Sequence, residues 1–140
     1  HALNTTTRVR EAFLSHQAAL PAARRIFPDR RVFLLEQIVF AQRCRELVER
    51  GELAVEQALQ SLGGLRSLGD AATLMDTLEC FLLDADMSVT RTAEKLFVHK
   101  NTVKYRLGRI ADRLGFVPGG FPETMPLVTA CALSRLLSQE

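Results

Sequence analysis

Two apolar stripes in residues 89–114 cannot belong to one straight helix. Val89, Ala93, Leu96 and Phe97 recur at helical spacing, and so do Val103, Leu107, Ile110 and Leu114. Each set fits a single face of an α-helix. Between Phe97 and Val103, however, a straight helix turns through about 600°, roughly 240° past a full turn, which would point the two stripes away from each other. A bend at Val98-His99-Lys100 folds both into one core, although no glycine or proline marks the place. The spacing therefore predicts two short crossing helices joined by a tight turn, the helix-turn-helix arrangement.

Helical spacing recurs along the rest of the chain, and no stretch shows sustained strand alternation between hairpin turns. Val9, Phe13 and Leu20 suggest a helix over about 6–20 that ends at Pro21, and Pro28-Asp29 reads as a turn. Leu34, Ile38, Ala41 and Val48 mark a long helix over 32–50, with Leu35, Val39 and Leu47 beside that stripe and Gly51 at its end. The first half of this helix is apolar on nearly every side, so it is expected to be deeply buried or covered by another subunit. A strand over 32–40 is the alternative there. Val55, Ala58, Leu59 and Leu62 form a further amphipathic set closed by Gly63-Gly64. Asp70 is placed to cap a helix through Leu83 whose inward residues are Leu74, Leu78, Phe81 and Leu82; Asp84-Ala85-Asp86 breaks it, and Ser88 caps the next. The expected fold is all-α: a helical bundle with a C-terminal helix-turn-helix domain, divided into a helical linker or dimerisation segment (1–70) and the helix-turn-helix domain (71–140).

The net charge of +2 hides an uneven distribution. Residues 88–115 carry seven Lys and Arg against two Asp and Glu, whereas the remainder carries eleven against fourteen. Positive charge gathered in one short segment is the footprint of a polyanion partner, or else of a solvated basic face. Cys44, Cys80 and Cys131 are widely spaced, odd in number and set among apolar residues, so buried free thiols in an intracellular protein are expected rather than disulfides or a zinc site. No apolar run is long enough to span a membrane, no signal peptide is recognisable, and a cytoplasmic location is expected. The first residue is His1 rather than Met, so the chain reads as a fragment or as carrying an added terminal scar, which leaves room for a domain upstream.

The outward face of the second helix carries the chemistry. Opposite its apolar stripe lie Asn101, Tyr105, Gly108 and Asp112, flanked by Lys104 and Arg109. Lys100, Asn101 and Thr102 fall in the first turn, where free backbone N–H groups and the positive helix end favour a phosphate. In a helix-turn-helix this second helix enters the major groove of DNA and its N-terminal residues touch base edges. Asn101 suits an adenine edge, Lys100 or Lys104 a guanine, and Tyr105 a thymine methyl or a phosphate. Arg106, Arg109, Arg113 and Lys95 suit phosphates. His99 stands beside the turn as a helix cap, a phosphate contact or a packing residue.

Thr92-Ala93 followed by the string Leu96-Phe97-Val98-His99-Lys100-Asn101-Thr102-Val103-Lys104-Tyr105-Arg106-Leu107 resembles the C-terminal helix-turn-helix of the PucR family of bacterial transcription regulators. The likeness extends to Leu78–Leu82 and to the closing stretch near Leu127–Leu137, so it takes in about residues 72–137; residues 1–70 more weakly resemble the helical segment that precedes this domain in the family. The resemblance implies a ligand-responsive, usually activating regulator of catabolic genes, whose effector is sensed by an upstream region absent from this chain. It implies no cofactor and no enzyme activity. The expected DNA-binding residues are Thr92, His99, Lys100, Asn101, Thr102, Lys104, Tyr105, Arg106 and Arg109; the expected partners are double-stranded DNA and a second copy of the chain.

The rival reading is a helical interaction module whose basic face meets an acidic protein. An enzyme is disfavoured, because the chain has no Gly-rich phosphate loop, no HExxH and no GxSxG, and its only histidines besides His1 are His16 and His99. No metal site is expected, as no second ligand lies near His99.

Overall fold

A computed structural model of the protein describes residues 16–67 and 69–138. Those residues form helices joined by short connections, with no strand among them. The helices are α1 (16–26), α2 (Leu35–Glu49), α3 (Glu52–Leu59), α4 (Ala71–Glu79), α5 (Val89–Leu96), α6 (Lys100–Leu114) and α7 (Thr124–Leu137). A tight 3₁₀ segment, Gln60–Ser67, follows α3, and a wide π-helical turn, Cys80–Asp84, follows α4. The all-α expectation holds, and the strand alternative at 32–40 does not.

One apolar core runs through the described chain from Ala22 on α1 to Leu136 on α7. Helix α7 packs into it, touching α2, α3, α4, the 3₁₀ segment and the π turn. Its fully buried residues Leu127, Ala130, Cys131, Ala132 and Leu133 leave almost no polar face in the middle of the helix. Helices α5 and α6 pack together at one end, with α6 also resting on α4 and the 3₁₀ segment. Residues of the first half of the chain (Leu59, Leu62, Leu65) and of the second (Leu74, Leu78, Ile110) thus share one core.

Several local expectations need correction. Helix α1 does not stop at Pro21 but runs through it to residue 26. Pro21 forfeits one backbone bond, and its exposed ring leaves the buried face of Ala19, Ala22, Ala23 and Ile26 unbroken; Val9 and Phe13 lie outside the described residues. Helix α2 begins at Leu35, where the Leu34 N–H donates to Gln37 Oε1 at 2.9 Å. Its apolar N-terminal end is not deeply buried: Val32, Leu34 and Leu35 are exposed. Helix α2 ends as expected at Gly51, whose φ of 102° suits a residue without a Cβ. Gly63, at φ 51°, kinks the chain without ending the segment, and the turn continues so that Leu65 is buried beside Leu62.

The helix expected to run to Leu83 instead widens at Cys80. The Ala85 N–H donates to the Cys80 carbonyl at 2.9 Å, one residue beyond the α-helical reach. This widened turn keeps Cys80, Phe81, Leu82 and Leu83 all buried, four consecutive residues that a regular helix would spread around its circumference. Asp86 and Met87 then take left-handed backbone angles, φ 51° and 59°, before α5 starts.

The three cysteines are buried and free. Burial pushes the Cys44 thiol up to about 12 and drives the Cys131 thiol upward as well, so both are held as neutral, unreactive core residues.

Arg135 supplies a polar clamp that periodicity did not foresee. It donates to both carboxylate oxygens of Asp84, at 2.8 and 2.6 Å, and to the Ile26 carbonyl at 2.7 Å, while its Nε lies 3.4 Å from Glu79 Oε1. All three charged side chains are largely buried. Burial is the largest influence on Glu79 and raises its carboxyl above the usual range against the opposing pull of Arg135. One guanidinium therefore joins α1, α4, the π turn and α7.

Candidate nucleic-acid interface

Helix α5 starts where Ser88 accepts the Arg91 N–H on its hydroxyl at 3.2 Å, an N-cap as expected. It ends at Leu96 in a doubled closure: the Val98 N–H donates to the Ala93 carbonyl at 3.1 Å and the Phe97 N–H to the Glu94 carbonyl at 3.4 Å. That pairing is a Schellman motif, which requires its C-terminal residue to be left-handed. Phe97 fills that position at φ 57°, ψ 42°. His99 returns to extended backbone and caps α6, its Nδ1 accepting the Asn101 N–H at 3.0 Å. The corner between the helices is therefore Phe97-Val98-His99, and the chain does break where the two stripes fell out of phase.

The corner turns Val103 and Ile110 fully inward, with Leu107 and Leu114 packed against the core. On α5, Ala93 is buried and Val89 packs on the core as expected. Phe97 does not join them: its side chain is 94% exposed, because the left-handed turn swings it off the inward face. Thr92 takes an inward place instead. It is fully buried and its hydroxyl donates to the Ser88 carbonyl at 2.7 Å, so it is removed from the set of residues available to a duplex. Periodicity misplaced Phe97, since residues 92, 93, 96 and 97 span neighbouring sectors of one short helix; the candidate role of Thr92 comes from the family resemblance instead.

The remaining candidates lie on or beside one solvent-facing surface. His99, Lys100, Asn101, Lys104 and Tyr105 are exposed, with Tyr105 66% accessible, and Thr102 is half-buried beside them. Gly108 and Asp112 continue this face along α6, and no atom stands within 4 Å of where a Cβ at Gly108 would lie.

The arginines divide differently. Arg106 is half-buried and turns toward α4, its guanidinium 3.4 Å from Thr77 Oγ1. Arg109 Nε donates to Asp70 Oδ2 at 3.0 Å, and that carboxylate is the main reason the guanidinium holds its proton more tightly than usual, with Tyr105 adding to the effect. Asp70 precedes α4 as expected but makes no side-chain cap; Arg109 has taken its carboxylate. Lys95 lies 3.5 Å from Asp29, and Arg91 pairs with Asp86 at 2.7 Å. Among the described residues no acidic side chain stands within ion-pairing distance of Lys100, Lys104 or Arg113. Positive charge is thus least compensated along the first half of α6, where the backbone N–H groups also point outward.

Asp70→Asn is expected to release Arg109 for a further phosphate. The slope of log affinity for duplex DNA against log salt should steepen by about 0.9, one counterion's worth. An unchanged slope, measured by retardation over a salt series, would show that Arg109 stays clear of the backbone.

No group of three or more potential metal ligands gathers among the described residues, and no described helix is long and apolar enough to cross a membrane.

Comparison with known proteins agrees with this geometry. Residues 74–133 match the family model for the PucR C-terminal helix-turn-helix domain. The chain is similar to uncharacterized proteins of Mycobacterium tuberculosis and Mycobacterium bovis, 49% identical over 73 residues, covering 51% of this chain and 17% of each relative. It is also similar to the carbohydrate diacid regulator of Escherichia coli, 22% identical over 127 residues, covering 91% of this chain and 32% of that protein. The chain therefore spans a third or less of the length of these curated relatives. No solved structure matches it.

Proposed function

We propose that this chain, whose residues 74–133 match the family model for the PucR C-terminal helix-turn-helix domain, is a DNA-binding regulator domain that reads a specific duplex sequence by laying α6 in the major groove. The observation that carries the proposal is the exposed, uncompensated run Lys100, Asn101, Lys104 and Tyr105, held at a capped helix start by the corner at 97–99. In that pose Asn101 meets an adenine edge and a lysine meets guanine N7 and O6. His99 uses Nδ1 in its own cap, so its other ring nitrogen faces outward to a phosphate. Arg106 at the flank supplies a backbone contact, while Asp70 holds Arg109 beside this face.

The functional form is a homodimer, because paired helix-turn-helix units read half-sites about 34 Å apart. The exposed apolar side chains Leu34, Leu35 and Leu53 on the α2 and α3 side support pairing through the first half of the chain. The likeness to a carbohydrate diacid regulator supports a regulatory role, and the family resemblance supports activation of catabolic genes in response to a small-molecule effector. A DNA partner fits a cytoplasmic location.

Selection of bound duplexes from a random-sequence pool at defined salt tests this reading. A single enriched, two-fold symmetric motif is expected, with affinity falling steeply as salt rises. Retention of no duplex, together with a monomeric mass by light scattering, would remove it.

A further inference from the structure

We propose that Phe97 is a DNA-contacting residue that packs its ring against the apolar edge of the duplex, a thymine methyl or the neighbouring deoxyribose, beside the start of α6. The inference rests on the DNA-binding reading above and adds to it a residue of a different chemistry. A phenylalanine at this position has no structural advantage for the isolated chain. The Schellman closure wants a left-handed residue, a conformation glycine adopts freely and a side chain with a Cβ adopts at a cost. Phe97 accepts that cost at φ 57° while standing 94% exposed, with no folding contact in return among the described residues. Strain kept in the absence of packing points to a use outside the fold.

Its place identifies the partner. Phe97 lies two residues before the His99 cap and three before Lys100, on the corner that brings the uncompensated cations of α6 to the surface. A partner docked there is a polyanion, and among polyanions duplex DNA also offers an apolar edge, the C5 methyl of thymine and the sugar faces. Phenylalanine is a known kind of thymine-methyl contact, and with only two side-chain torsions it loses little freedom on binding. The left-handed backbone holds the ring out from α5 rather than letting it fold back onto Ala93.

The test uses a duplex recovered by selection with the unmodified protein, and compares Phe97→Gly, Phe97→Asn and Phe97→Tyr. Glycine and asparagine both suit the left-handed turn. Melting temperature should therefore hold or rise in each, while affinity for the selected duplex falls roughly 10- to 100-fold, the consequence of losing a buried aromatic side chain. Phe97→Tyr, which keeps the ring, should retain most of the affinity. Replacing each thymine in turn by deoxyuridine should reproduce the loss at one position if the contact is a methyl, and at none if it is a sugar.

Affinity within about twofold of the unmodified protein for both Phe97→Gly and Phe97→Asn would overturn the proposal while leaving DNA binding through α6 intact. A fall in melting temperature for both would show the ring to be packed in solution and would equally overturn it. The parent reading is judged separately by substitutions at Asn101 and Lys104.

Discussion

Replacing Arg135 with alanine is expected to lower the free energy of unfolding by about 3–5 kcal/mol, the usual result of removing one partner from a buried ion pair. The loss is large because Asp84 would keep its charge in a largely buried place with both oxygens unpartnered, and the Ile26 carbonyl would lose its donor. Against a typical domain stability of about 5–15 kcal/mol, that is from about a fifth to the whole of it. The double change Arg135→Met with Asp84→Asn should recover part of the loss, since only Glu79, whose carboxyl burial already raises, is then left opposite the missing guanidinium. Urea unfolding at neutral pH measures both. A change under about 1 kcal/mol for Arg135→Ala would mean that water reaches the cluster freely. The clamp matters for function as well, since Asp84 ends the π turn from which the chain swings into Ser88 and α5. Loosening it loosens the platform on which the corner at 97–99 is built.

The second large effect is expected at the surface. Changing Asn101 and Lys104 together to alanine should cost affinity for the selected duplex and leave the fold intact. Each side chain that reaches a base edge is worth about 1–3 kcal/mol. Three residues apart on one helix they share neighbours, so the sum is not strictly additive; together they should lose on the order of 2–5 kcal/mol, roughly 30- to 5,000-fold. Both are exposed, so unfolding stability should change by about 0.5 kcal/mol at most. Retardation titrations beside thermal melts separate the two quantities. Unaltered affinity in a folded double variant would mean that α6 is not the reading element.

These two predictions draw on different kinds of legibility. The face bearing Asn101 and Lys104 could be read from residue spacing alone, because helix periodicity sets which side chains lie opposite Val103, Leu107 and Ile110. The same holds for the break near position 99 and for the Ser88 cap, both decided by groups a few residues apart. Arg135 could not be found this way. Its partners Asp84 and Ile26 lie 51 and 109 residues away, and a lone arginine near the end of an apolar helix looks like a solvated last-turn residue. Asp70 misled for a related reason. Its position suits a helix cap, yet a guanidinium 39 residues downstream takes the carboxylate.

The exchange of Thr92 for Phe97 lies between these cases. Both neighbour the inward sector of α5, and hydrophobicity alone chooses the phenylalanine. The left-handed turn reverses that choice: it rotates residue 97 outward and leaves the small threonine, its hydroxyl satisfied by the Ser88 carbonyl, in the tight space inside.

By itself, then, the amino-acid order determined that the described chain is helical, that its sharpest corner stands before Lys100, and that a cationic face lies on the second helix of the pair. Each of these follows from backbone periodicity and hydrogen bonds within one or two turns. Only the tertiary structure decided which cations remain uncompensated, which aromatic ring stands in solvent, and which buried arginine ties the bundle together. Charge pairing and burial depend on distances in space between residues that the chain order leaves far apart.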